Sequence, residues 1–245
     1  MFAFLKTPMA LRVLPFLVFV LLTAFQGKYG EASRYWFYFA KTFVGAAMLW
    51  AIWPYVKELR WKMSWEAVVT GFLVFVMWVG LDGFYPSLDQ LFRKIGDGTP
   101  WLKSVFETLG FISKEQVATT GWNPHAQFGS GSALAWMFIV ARIVGSTLVV
   151  PPLEEMFYRS FVYRYVIRPD FEAVRLGRFH WVSFLVTSVI FGFAHHEWLA
   201  GILCGFAYQG LVIWKKRLGD AMTAHAITNL LLGLWIVWKG DWKFW

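Results

Sequence analysis

Pro151-Pro152-Leu153-Glu154-Glu155-Met156-Phe157-Tyr158-Arg159 sets two carboxylates and a guanidinium into one of the most apolar parts of the chain. A charge in hydrocarbon costs at least about 2.5–3.5 kcal/mol on insertion scales, so ionisable groups in such runs usually face a protein-lined or wet cavity. On a helix, Glu155 and Arg159 stand four residues apart and can pair, whereas Glu154 is rotated about a quarter turn away and needs another partner. Taken alone, the stretch reads either as a structural ion pair holding two helices together or as a site that does chemistry.

The surrounding composition decides the solvent. The 245 residues are 58% hydrophobic and 20% aromatic. Only 16% are charged, against a usual figure of about 25%. Long apolar runs separated by short polar connections leave no room for a sizeable soluble domain and predict one integral, multi-pass membrane unit. The formal charge of +8 sits in short loops flanking apolar runs. That placement is explained by the positive-inside bias and by contact with the anionic lipid bilayer, without invoking nucleic acid. Cys204 is the single cysteine and lies in an apolar run. It forms no intramolecular disulfide or Cys-based metal site and reads as a packing residue.

Working outward predicts an all-α fold, a polytopic membrane helical bundle of about eight helices. Lys6, Arg12 and the apolar run Val13 to Phe25 mimic a signal peptide, but Phe25-Gln26-Gly27-Lys28 lacks a small-x-small cleavage pattern, so the run is read as a retained first helix. Further spans are expected at Tyr35 to Pro54, which carries Lys41, and at Trp65 to Leu81. Asp82 to Ser132 reads as a long extramembrane connection with amphipathic pieces such as Leu102 to Leu109. Ala133 to Val150 is the next span, interrupted by Arg142. Pro151-Pro152 is expected to end or kink it, leaving Leu153 to Ile167 as a separate helix with Glu154 and Glu155 in its first turn. His180 to His195, Trp198 to Trp214 and Ala221 to Trp238 complete the set. If the motif helix crosses fully, Lys and Arg divide almost evenly between the two sides, which leaves orientation open. Residues 1–132 are thus N-terminal helices and a connection, and 133–245 are the polar-motif core of the same unit.

Two further polar groups punctuate that core: Phe191-Gly192-Phe193-Ala194-His195 and His225-Ala226-Ile227-Thr228-Asn229. His225 and Asn229 share a helical face. A lone membrane histidine is usually a helix-to-helix hydrogen bonder. Two histidines, an amide and paired carboxylates together point further.

In order, Glu-Glu-x-x-x-Arg, Phe-x-x-x-His and His-x-x-x-Asn resemble the three motifs of the CPBP family, the CAAX-protease and bacteriocin-processing membrane proteins. The resemblance covers roughly Ala133 to Trp238. Tyr158 stands where the family often has Phe or Trp, and Ser160 where Gly is common. The resemblance implies intramembrane hydrolysis of a membrane-associated peptide or protein, by a glutamate-dependent or metal-dependent peptidase. Glu154 would be the base, with His195 sharing the nucleophilic water. His225 and Asn229 would donate to the developing oxyanion. Glu155 and Arg159 would form a supporting ion pair, with Arg142 a second counterion for a carboxylate. A divalent metal, zinc foremost, could be held by Glu154, His195 and His225 with one position open, but the same residues can activate water directly. Direct activation is the preferred reading.

Other classes fit less well. His196-Glu197-Trp198-Leu199-Ala200 lacks the second His of a zincin helix. Gly80-Leu81-Asp82-Gly83 and Gly129-Ser130-Gly131-Ser132 read as loop turns, not as aspartyl or serine intramembrane motifs. The competing functions are a non-catalytic membrane partner or immunity-type protein, and a proton-coupled transporter. The transporter would call for internal repeats that the chain does not display.

Overall fold

The computed structural model describes residues 6–108 and 121–245. Among these residues the chain forms ten helices and no β-strand. They are α1 (Pro8–Thr23), α2 (Glu31–Ile52), α3 (Trp65–Gly80), α4 (Leu88–Asp97), α5 (Pro100–Thr108), α6 (Pro124–Phe128), α7 (Ala133–Ile167), α8 (Trp181–Phe193), α9 (Trp198–Lys215) and α10 (Gly219–Lys239). Three of them, α7, α9 and α10, are long and apolar enough to cross a membrane; α1, α3 and α8 are shorter apolar helices.

Local chemistry sets most of the boundaries. The first helix begins earlier than the apolar run suggests because the Thr7 side chain accepts from the Ala10 amide and Pro8 occupies the first turn. The Ser64 hydroxyl caps α3 in the same way. Ser87 and Gln90 close a reciprocal capping box on α4, whose apolar residues Leu88, Leu91, Phe92 and Ile95 share one face. Both α4 and α5 therefore fall in the expected connection as amphipathic pieces; its stretch 109–120 lies outside the described residues.

The largest departure from the sequence reading is at Pro151-Pro152. The two helices expected on either side are one continuous helix, α7. Proline lacks an amide hydrogen and its ring crowds the carbonyl four residues back. Here the crowding is relieved by a wider, π-helical turn over Gly145–Val149, in which the Val150 amide reaches back five residues to the Gly145 carbonyl. A second π-helical stretch, Met156–Val162, follows the carboxylates, with the Tyr163 amide bonded to the Tyr158 carbonyl. At 35 residues, α7 is roughly 50 Å long. The hydrocarbon is about 30 Å thick, so even at a tilt of about 40° part of α7 stands outside it.

Glycines let the helices meet backbone to backbone. A methyl group at Gly71 of α3 would lie 2.5 Å from the Ala224 carbonyl oxygen of α10. One at Gly205 of α9 would lie 2.9 Å from the Ser188 Cα of α8. Small residues are how helices approach when no hydrophobic force separates protein from lipid.

At one end of the bundle, α1, the turn Lys57–Leu59 and α7 are tied by Glu58. Its carboxylate takes Arg12 at 2.6 Å, Arg164 at 2.8 Å and the Ser160 hydroxyl at 3.1 Å. Burial works against the Glu58 anion, but Arg12 and then Arg164 outweigh it and hold the carboxyl below the usual glutamate range. A carboxyl depressed by folding adds stability that is full above its unfolded pKa, about 4.3, and is lost as pH falls through the folded value. Thermal unfolding in detergent from about pH 7 to about pH 3 is expected to reveal a stability increment that Glu58→Gln lacks; parallel pH profiles would contradict it.

Candidate active site

The wide turns of α7 place Glu154 and Glu155 differently. Glu155 is fully buried; Glu154 lines a cavity of about 640 Å³. The Glu155 Oε1 atom stands 2.9 Å from His225 Nδ1 of α10 and 3.2 Å from Arg159 Nη1 one turn along α7. The Arg159 contact has ion-pair distance without hydrogen-bond alignment, and the guanidinium lies flat on Phe191 of α8, 4.1 Å from its ring centre. On the other side, the His225 ring stacks on Tyr208 of α9 at 5.2 Å. The Tyr208 hydroxyl donates to Thr228 Oγ1 at 2.7 Å. Four helices thus hold one imidazole.

These contacts assign protons. A carboxylate only accepts, so His225 Nδ1 carries the hydrogen and Nε2 keeps a lone pair while the ring is neutral. His195 lies in the turn after α8, its Nδ1 2.7 Å from the Phe191 carbonyl oxygen. A carbonyl also only accepts, so His195 Nε2 is the acceptor nitrogen.

Asn229, one turn beyond His225, donates from Nδ2 to the Ser146 carbonyl at 2.8 Å. The cause lies in α7. The Val150 amide bonds to Gly145, and the next residue, Pro151, has no amide hydrogen to offer Ser146. The proline pair therefore leaves a carbonyl that Asn229 fills, which orients the amide and leaves its second N–H free.

The structure brings Glu154, His195, His225 and Asn229 to the wall of the same cavity. The Glu154 Oε2 atom has no hydrogen-bond partner among the described residues. Glu155 and Arg159 stand behind His225. Arg142 also lines the cavity but meets no carboxylate within 4.0 Å among the described residues; its guanidinium stacks on Tyr38 and Trp122, each at 4.5 Å. Glu154, His195 and His225 share the cavity without closing into a ligand set: among the described residues no three His, Cys, Asp or Glu side chains gather around one metal position. Cys204 is buried at the cavity wall, a packing position. Sequence reasoning missed Tyr208, whose apolar setting on α9 offered no signal, and the part taken by the Ser146 carbonyl, which only the wide turn exposes.

The fold and cavity define a helical membrane protein with a polar chamber inside its C-terminal helices. The profile of the Rce1-like family, described as type II CAAX prenyl endopeptidase, matches residues 132–231, less than half of the chain but including all three motifs. Over that region the chain is similar to the CAAX-protease (CPBP) family, and with three helices long and apolar enough to cross a membrane it is an integral membrane protein. No curated protein and no solved structure matches the chain.

Replacing Glu155 by Ala leaves Arg159 buried without its counterion and His225 without its acceptor. Breaking one side of such a buried pair costs about 3–5 kcal/mol. A large fall in the thermal unfolding midpoint in detergent is expected. An unchanged midpoint would show that the pair does not hold α7 to α10.

Proposed function

We propose that the protein is a multi-pass intramembrane endopeptidase in which Glu154, aided by His195, activates water against a membrane-proximal peptide bond. The observation that supports it best is the single cavity lined by Glu154, His195, His225 and Asn229, supplied by α7, the turn after α8 and α10. Glu154 removes a proton from water while His195 Nε2 accepts the second O–H, and the oxygen forms its bond to the scissile carbonyl carbon. The carbonyl π electrons move to oxygen. As the C–N bond breaks, Glu154 returns the proton to the leaving nitrogen.

Asn229 donates its free N–H to the developing oxyanion. His225 can donate from Nε2 only as an imidazolium, because Nδ1 already serves Glu155. In that state its hydrogen bond to the oxyanion is charge-assisted. The substrate is a membrane-associated peptide or protein approached through the lipid bilayer. The side chains activate water directly; a divalent ion such as zinc would require Glu154, His195 and His225 to draw closer than they stand.

In purified protein, Glu154→Gln is expected to lower cleavage by about 10²–10⁴-fold without moving the unfolding midpoint. Asn229→Ala should lower kcat by about 10²–10³-fold. A Glu154→Gln enzyme that cuts a membrane peptide at the wild-type rate would sink the assignment. Elemental analysis of protein prepared without chelator should find no stoichiometric zinc, and activity should survive dialysis against EDTA; loss on dialysis, restored by zinc, would require the metal reading.

A further inference from the structure

The cavity continues beyond the four polar residues. On α7, Arg142, Ser146, Val150 and Glu154 recur every four residues and all line it, forming one stripe along the helix. Beside the stripe stands Lys41 of α2, 5% exposed, with its Nζ 2.8 Å from Thr23 Oγ1 and 4.7 Å from the Tyr38 ring centre. Arg142 addresses the same Tyr38 ring, and Trp122 and Trp245 complete an aromatic box around its guanidinium at 4.5 and 5.4 Å. Among the described residues, neither cation has a carboxylate within 4.0 Å, and the guanidinium donates no hydrogen bond to a described side chain or carbonyl.

Two basic side chains therefore share a cavity whose lining includes a single carboxylate side chain, Glu154. Buried charges are normally paired. The aromatic box fixes the orientation of the Arg142 fork, and a fork of fixed direction suits an oxyanion with two or more oxygens.

We infer that Lys41 and Arg142 form an anion-binding subsite of this cavity, taking a carboxylate group of the substrate and so holding it in register with Glu154. The inference rests on the proposed peptidase reading and names what that site recognises besides the scissile bond. Twelve residues separate Arg142 from Glu154 on α7, roughly 18 Å along its axis. At least about five residues of extended chain are needed to cover that distance. A terminal or side-chain carboxylate of the peptide at about that reach is the group the subsite takes.

The test uses the full-length protein in vesicles and a fluorescent, prenylated peptide with about five residues beyond its lipidated cysteine, made with a free C-terminal carboxylate or a C-terminal amide. Both binding, read by anisotropy, and cleavage are measured for wild type, Arg142→Gln, Lys41→Gln and the charge-keeping Arg142→Lys. The expected result is an about 10- to 100-fold rise in Kd and KM for the acid peptide in Arg142→Gln, little change for the amide, and partial recovery in Arg142→Lys. Losses indifferent to the peptide terminus but dependent on phosphatidylglycerol in otherwise phosphatidylcholine vesicles would overturn the substrate assignment in favour of lipid. Equal effects on acid and amide in both vesicle types, or none, would overturn the subsite. Failure of the peptidase reading is separable, because binding discrimination between acid and amide would persist in a wild-type protein that cuts neither.

Discussion

The contact on which the C-terminal helices depend is the one between Glu155 and its two partners, Arg159 and His225. Glu155 and Arg159 are 0% and 1% exposed, so neither charge can recover its hydration, and each is tolerable only because the other is present. That dependence fixes α7 against α10 and, through Phe191 and Tyr208, draws α8 and α9 to the same point. It also sets the tautomer of His225 and so decides what its remaining nitrogen can do. In the proposed reaction, an element that looks like scaffold is in this way part of the chemistry.

The proline pair has a comparable double role. In water-exposed helices two prolines would end the structure; here the helix widens instead and continues. The cost is a carbonyl at Ser146 with no backbone donor, and in a low-dielectric interior such a group demands a partner. Asn229 supplies it. One local irregularity in α7 thereby orients an amide on α10, across the cavity where Glu154 also faces.

The cavity is asymmetric in charge along the α7 stripe. Its Glu154 end carries the two imidazoles and the amide; its Arg142 end carries a guanidinium set among aromatic rings, with the Lys41 amine beside the stripe. The CAAX-protease kinship of residues 132–231 covers Arg142 but not Lys41 or Tyr38, which come from α2. The N-terminal helices are therefore more than added bulk around the core: α2 closes one end of the chamber and brings a charge to it.

The residues themselves carried a good deal of this. Apolar runs too long and too frequent for a soluble domain, interrupted by Glu-Glu-x-x-x-Arg and two histidine motifs, were enough for an all-helical membrane bundle and for the family, because burial of charge in such runs is too costly to be incidental. Three-dimensional packing alone decided that α7 continues through Pro151-Pro152, since helix continuity there depends on wide turns and on a donor from a distant helix. Packing likewise chose Glu155, not Glu154, as the partner of His225, and left Arg142 without a described carboxylate. Both outcomes follow from how four helices rotate and approach one another, a matter of glycine contacts and ring stacking between residues far apart in the chain, which spacing along one helix does not encode.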